Sequence, residues 1–263
     1  MEIYTVIEPI AEAVPIVINS PHSGTYFPAE VKSKMIKERV EHPDDTDWFI
    51  DELYDFVPKM GITMIKANYN RWVIDLNRDP DSVALYDDGR VITGLVPKTD
   101  FNGQPLYKEA APDSDEIRRR LKAYYEPYHQ KVSELLTEKV RKFNRALLFD
   151  AHSIRKHVSG IRPEPFPDLI LGDNDETSAS SEIIHAACHV LRQGDYDFQH
   201  NHPFKGGYIT RHFGNPESNV HALQLEMAKT NYMNRQEIKY HEKRANKIRR
   251  LLQELFETLI NTI

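Results

Sequence analysis

Two histidines stand where a short apolar run gives way to polar side chains. The first run is Leu147-Leu-Phe-Asp150-Ala-His152-Ser153, and Pro15-Ile-Val-Ile-Asn-Ser-Pro-His22-Ser-Gly24 repeats the design. Each reads as a buried strand of an α/β sheet opening at its carboxyl end, where open sheets gather their sites. An imidazole there can hold a metal, with Asp150 close enough to orient His152. The repetition suggests that both rings converge on one point. Asp45 and Asp47 offer carboxylates, and Glu226 lies at the end of another alternating segment. Two imidazoles and one carboxylate, with a fourth position left to water, is the arrangement of catalytic zinc in hydrolases. Such a site lowers the pKa of water from 15.7 to roughly 7. A carboxylate outside the ligand set, here Glu226, can then carry a proton to a departing amine.

Arginine is the second chemical signal. Arg71 and Arg78 bracket an apolar, strand-like core, and Arg211 follows a glycine pair. A planar guanidinium matches a carboxylate in bidentate fashion, so an acidic protein that binds an anion would use such groups, unless each merely pairs with a nearby aspartate. Other candidates carry less. His185 and His189 have the spacing of a helical zinc site, but Ala186 stands where a zincin needs glutamate. His200 and His202 form a loop cluster near the glycine pair. Cys188 reads as packing, and neither Ser23 nor Ser153 sits in a Gly-x-Ser-x-Gly elbow.

Positioning these groups requires a strand over residues 15–19, then a helix opened by Asp44-Asp45-Thr46-Asp47 with Trp48, Phe49, Leu53, Phe56 and Val57 on its apolar side. A strand is expected from Gly61 to Ala67, and irregular excursions over 79–113. Asp113 and Glu116 form a capping pair that starts a long helix with Pro127 inside it, where a kink is expected. After the strand ending at His152 come an apolar run at 168–173, a helix from about Ser178 to Leu191, a strand at 196–200 and a glycine-framed turn and strand at 206–214. Val220 to Met227 alternates as a core-edge strand, and a last helix starts at Asn234 with Ile238 on its buried face. Strands alternating with helices predict one α/β domain over residues 1–263, with a mixed, mostly parallel sheet flanked by helices.

Composition fits. The chain has 263 residues, 40% of them hydrophobic and 10% aromatic, enough for a substantial core. A net charge of −6 without a dense basic run before the last helix argues against nucleic acid. The basic segment Lys239 to Arg250 is most simply a solvated face. No apolar run is long enough to span a membrane. A single cysteine and no signal-peptide pattern at the N-terminus lead to the expectation of a cytoplasmic protein.

Taken together, Pro21-His-Ser-Gly24, Asp45-Thr-Asp47-Trp-Phe-Ile-Asp51-Glu-Leu-Tyr, Asp75-Leu-Asn-Arg78, Asp150-Ala-His-Ser153 and Lys205-Gly-Gly-Tyr-Ile-Thr-Arg211 resemble the N-formylglutamate amidohydrolase family, in order, from about residue 15 to 230. Asp-Leu-Asn-Arg and Asp-x-His-Ser are also similar to the zinc carboxypeptidase and aspartoacylase superfamily. The resemblance implies a zinc-carboxypeptidase-like (phosphorylase/hydrolase-like) fold and one Zn2+ held by His22, a carboxylate and His152. The superfamily's His-x-x-Glu is absent, since Thr25 occupies the third position after His22. The carboxylate is then Asp45 or Asp47, of which Asp47 fits the family pattern better. By the same resemblance Glu226 is the general base and Arg71 polarises the scissile carbonyl. Asn77 and Arg78 hold the substrate's carboxylate, and Arg211, with Tyr208 in the same motif, meets a second one.

The expected activity is hydrolysis of N-formyl-L-glutamate to formate and L-glutamate, at the end of histidine degradation. One rival is a related deacylase or carboxypeptidase for another N-acyl amino acid. Another is a non-catalytic dicarboxylate binder, against which the intact His22, His152 and Glu226 set speaks.

Overall fold

Apolar runs that end in polar residues become the strands of one sheet, and their carboxyl ends carry the candidate site. The computed structural model describes residues 1–81 and 93–263. Strands β1 (Tyr4–Ile7) and β2 (Ile16–Ser20) precede three single-turn helices, α1 (Ala29–Lys32), α2 (Lys37–Glu41) and α3 (Ile50–Leu53). Strand β3 (Thr63–Ala67) follows, then helix α4 (Ser114–Arg120), which runs through a π-helical turn (Leu121–Tyr125) into α5 (Glu126–Phe143). The remaining elements are β4 (Ala146–Ile154), β5 (Leu169–Gly172), α6 (Ser181–Gln193), β6 (Phe198–His200), α7 (Tyr208–Phe213), β7 (Val220–Ala228) and α8 (Glu242–Thr262).

The sheet has seven strands in the order β1-β3-β2-β4-β7-β5-β6. Its centre is parallel: β3, β2, β4 and β7 run together, while β1 pairs antiparallel with β3 and β5 antiparallel with β7. A parallel sheet must be covered on both faces, and two apolar clusters do this. One holds Leu147, Phe149 and Leu223 under α6 and α8 with Tyr54 and Phe256; the other holds Val17, Leu148 and Ala222 under α5 and the 72–76 segment. A fully buried leucine or phenylalanine in either contributes roughly 1.5–3 kcal/mol.

Side-chain alternation then sorts the polar groups. Asn19 follows Val17 on β2, Asp150 and His152 follow Leu148 on β4, and Gln224 and Glu226 follow Ala222 on β7, so all lie on the α5 face. Cross-strand register sets Asn19 beside Asp150, Asp150 beside Gln224, and His152 beside Glu226.

Long-range hydrogen bonds override several local expectations. No continuous helix begins at Asp44. Asp47 N–H donates to the His22 carbonyl at 3.0 Å, and Phe49 takes a left-handed φ of +63°, so only one helical turn forms beyond it. The run from Arg71 to Arg78 is a chain of buried turns rather than a strand, with Val73 N–H on the Asn70 carbonyl and Asp75 N–H on the Leu95 carbonyl. Residues 208–213 are helical, not extended. β7 lies inside the sheet between β4 and β5, not at an edge. The last helix starts at Glu242, because Asn234 closes a turn onto Ile238 and Lys239 N–H groups and Glu237 has a φ of +59°. Ile238 is consequently 61% exposed.

Asp113 does cap its helix, accepting from Glu116 N–H at 2.9 Å. The kink expected at Pro127 takes the form of the π-helical turn just before it. That turn widens the backbone where the proline ring would meet the carbonyl four residues back. Of the excursions expected over 79–113, residues 82–92 lie outside the described residues.

Candidate metal centre

His22 leaves the end of β2 in a turn that passes tightly under β3's exit. Gly24 is obligatory there, since a Cβ would stand 2.3 Å from the Tyr69 carbonyl oxygen. His152 rises from β4, and the two ring centroids are 4.8 Å apart. The 44–47 loop brings in Asp47, whose Oδ2 lies 3.0 Å from His152 Nδ1 and 3.8 Å from His22 Nδ1. All three residues are buried, and their donor atoms lie within 4.8 Å of one another. Ligands about 2.0–2.2 Å from a tetrahedral ion stand about 3.3 Å apart, so this triangle has the right size.

The outer nitrogens argue for a cation more strongly than the triangle does. His22 Nε2 meets Asp75 Oδ1 at 2.8 Å, and His152 Nε2 meets Asp150 Oδ2 at 3.0 Å. A carboxylate accepts, so the His22 ring carries its hydrogen on Nε2 and turns a bare Nδ1 towards Asp47, whereas His152 Nε2 also lies 3.0 Å from the Asn77 amide nitrogen and its Nδ1 is hydrogen-bonded to Asp47 Oδ2. His22 Nδ1 is buried without any hydrogen-bond partner. Lone pairs facing a carboxylate oxygen across a buried gap need a proton or a metal ion between them. The residues present therefore fit a divalent metal.

The electrostatics agree. Burial, with Arg71 nearby, lowers the His22 pKa to about 4. Burial also opposes charge on His152, yet Asp150 and Asp47 outweigh it and raise its pKa well above the usual value. Asp47 is pulled down despite its burial, by His152 and His22. Asp75 is likewise held well below the usual carboxylate range, because Arg71 and Arg78 outweigh its desolvation. Glu226 is pushed up to about 8, chiefly by desolvation. Asp47 and His152 thus share a positive charge that a metal ion held between them would supply in its place.

Arg71 is buried and fixed: one terminal nitrogen donates to Asp75 Oδ2 at 2.6 Å, the other to the Asp45 carbonyl at 3.4 Å, and its Cζ lies 4.7 Å from the Phe101 ring centroid. Asp45 itself is turned away from the imidazoles, accepting from Trp72 Nε1 and Phe101 N–H. Arg78 donates to the carbonyls of Thr93 and Asn77 and to Thr93 Oγ1. Tyr125 ties the two substrate-side candidates together. Its hydroxyl donates to the Arg78 carbonyl at 2.8 Å, and its ring lies 6.4 Å from that of Tyr208 on α7. Arg211, one helical turn on, donates from Nε to the Gly206 carbonyl.

A sequence model of N-formylglutamate amidohydrolase matches residues 14–233. The chain belongs to the N-formylglutamate amidohydrolase family. It is 40% identical to the N-formylglutamate deformylase of Pseudomonas aeruginosa over 252 residues, covering 94% of this chain and 93% of the relative. The Pseudomonas putida deformylase is 38% identical over 250 residues, covering 94% and 92%. Among solved structures, N-formylglutamate amidohydrolase from Ralstonia eutropha JMP134 superposes with a TM-score of 0.81 at 27% identity, covering 99% of this chain and 97% of that one. A gene product of Agrobacterium tumefaciens, 17% identical with a TM-score of 0.74, covers 98% and 96% and shares the fold.

Within the span matched to the amidohydrolase family lie all the sequence-derived site residues, from His22 to Glu226. The alternative histidines lie elsewhere in role: His185 and His189 are exposed on α6, and His200 Nε2 pairs with buried Asp173 at 2.5 Å. Ser153 Oγ accepts from Tyr232. Cys188 is buried, and desolvation raises its thiol pKa to about 11. Sequence reasoning missed the roles of Asp75 and Asn19. Asn19 Nδ2 donates to Asp150 Oδ1 at 2.6 Å, and Tyr128 from α5 donates to Asn19 Oδ1 at 2.6 Å, which fixes the carboxylate behind His152. The matching parity of Asn19 and Asp150 on neighbouring strands was the available signal.

Proposed function

We propose that the protein hydrolyses the formamide of N-formyl-L-glutamate, releasing formate and L-glutamate, with one zinc ion held by His22 Nδ1, Asp47 and His152 Nδ1. The observation that carries this is the buried cluster of His22, Asp47 and His152, in which His22 Nδ1 has no hydrogen-bond partner and both imidazoles turn Nδ1 towards Asp47. The names of relatives 38–40% identical over nearly the whole chain support the substrate. Bound there, the ion supplies Lewis-acid polarisation of the formyl oxygen and water activated at neutral pH.

The chain's own groups do the rest. Glu226 lies beside His152 across the strand pair, so it faces the same space as the ligand set. Desolvation pushes its pKa up to about 8, and the charge of an ion bound beside it would favour the ionised form that takes a proton from the attacking water and returns it to the leaving nitrogen. Arg71, locked by Asp75, presents fixed positive charge where the formyl oxygen becomes anionic. Arg78 and Arg211 receive the two carboxylates of the glutamate moiety, with Tyr208 alongside. The order of the ligand motifs supports a relation to the zinc carboxypeptidase and aspartoacylase superfamily. Its one cysteine is buried, in keeping with the cytoplasm, and no described helix is long and apolar enough to cross a membrane.

The test is formate release from a panel of N-formyl and N-acetyl amino acids, with and without chelator. Preferential turnover of N-formyl-L-glutamate that chelator abolishes and zinc restores is expected. Full turnover in chelator would remove the metal from the reading, and preference for an acetyl substrate would remove the formyl group.

A further inference from the structure

Resemblance implies that Asn77 grips substrate, but the structure gives its amide other work. Asn77 is 4% exposed. Its Nδ2 donates to Asp150 Oδ2 at 3.3 Å and sits 3.0 Å from His152 Nε2, while its Oδ1 accepts from Ile209 N–H at 2.8 Å. One end of a single amide therefore touches the imidazole side of the site, and the other holds the first turn of α7. Gln224, buried beside Asp150 on β7, completes the joint. Its Oε1 accepts from Gly207 N–H at 2.7 Å and lies 3.5 Å from Asn77 Nδ2. Gly207 is flush against Asn77: a Cβ would come within 2.3–2.6 Å of the amide atoms.

Helix α7 is short, with six residues, and on its own would not hold a fixed position. The N–H of its N-cap, Gly207, ends on Gln224 and that of Ile209 ends on Asn77. Tyr208 and Arg211 ride on that helix, and Arg211 N–H bonds back to the Gly207 carbonyl at 3.2 Å. Any displacement of Gly207 is therefore transmitted to Arg211 within a single turn.

We propose that Gln224 is a positioning residue for substrate selection: with Asn77 it fixes helix α7 so that Arg211 meets the side-chain carboxylate of the substrate. The inference rests on the reading that Arg211 binds that carboxylate. It assigns Gln224 no contact with the reacting atoms. Loss of its acceptor loosens the helix that discriminates substrates and leaves the metal ligands and Glu226 in place.

The test compares N-formyl-L-glutamate with N-formyl-L-glutamine, which lacks only the side-chain charge, in the zinc-loaded full chain. Gln224→Met keeps the side-chain volume and removes the acceptor. KM for N-formyl-L-glutamate should rise about five- to tenfold, the scale of one hydrogen bond, with kcat within about twofold and zinc content unchanged. The preference for glutamate over glutamine should fall by the same factor. Gln224→Leu removes the same acceptor with less bulk and should give the same loss, which covers the case in which Gln224→Met does not fold. Retained preference in the folded variants, or equal loss of kcat on both substrates, overturns the proposal. A wild-type protein with no preference between the two substrates instead refutes the Arg211 reading, and this inference with it.

Discussion

Asp75→Asn isolates the contribution of a carboxylate that touches no metal. Asp75 accepts from His22 Nε2 and Asn77 N–H through Oδ1, and from Arg71 through Oδ2, with Arg78 3.7 Å away. Asparagine has nearly the same shape but one acceptor. If its oxygen faces His22, its NH2 confronts the Arg71 guanidinium, donor against donor. If its NH2 faces His22, the imidazole must move its hydrogen to Nδ1, which closes that nitrogen to a metal. In either orientation a buried charge is lost. Orienting carboxylates of this kind are worth about 10- to 100-fold in metal affinity. Removing one partner of a buried ion pair costs about 3–5 kcal/mol of stability. Asp45 and Asp47 also face Arg71, so the lower end of that range is expected. Zinc affinity measured by competition with a chromogenic chelator should fall at least tenfold. Thermal unfolding with and without zinc gives the stability change separately. Affinity within twofold of wild type would mean that Asp75 does not set the His22 tautomer and that His22 Nδ1 is not a zinc ligand.

Glu226→Gln should retain zinc while kcat falls about 10²- to 10⁴-fold; near-normal turnover would remove Glu226 from proton transfer. Arg78→Lys cannot reproduce the fan of bonds to Thr93 and Asn77 and should raise KM by about tenfold or more with little change in kcat, and an unchanged KM would mean that Arg78 only braces the turn. Burial among Tyr125, Tyr208 and Phe213 lowers the His129 pKa to about 4, while its Nε2 donates to the Leu76 carbonyl. A base with a depressed folded pKa is neutral in the native state and takes up a proton on unfolding, so its stabilising share is full above about pH 6.5 and is lost as pH falls towards 4, about 3 kcal/mol in all. The His129→Gln variant should show a shallower loss of melting temperature across that window, and a slope equal to wild type would count against the assignment.

How much of this could be read in the sequence depends on how local the causes are. The strands that carry Asn19 and His152 were legible because apolar alternation is set by neighbouring residues. The Asp113 cap was legible for the same reason. The segments at 44–57, 71–78 and 208–213 were not, because their conformation is fixed by partners far along the chain. Asp47 N–H answers to His22, Trp72 Nε1 to Asp45, and Ile209 N–H to Asn77, separations of 25 to 132 residues. The imidazoles could be placed together by analogy of strand ends. Asp75 could not, since nothing in its own neighbourhood says that its carboxylate faces His22.

The interleaved strand order has a further consequence for assembly. β2 acquires its neighbour β4 only after the intervening residues 21–145 have been laid down, and β7 closes the other side later still. A nascent chain thus offers no preformed chelate, unlike a zinc finger whose ligands sit close in sequence. Metal capture should come late in maturation, onto a sheet that already exists. On the proposed metal reading, the protein without its ion would be a folded receptor, so that brief starvation for metal would cost activity and leave the chain ready for reloading.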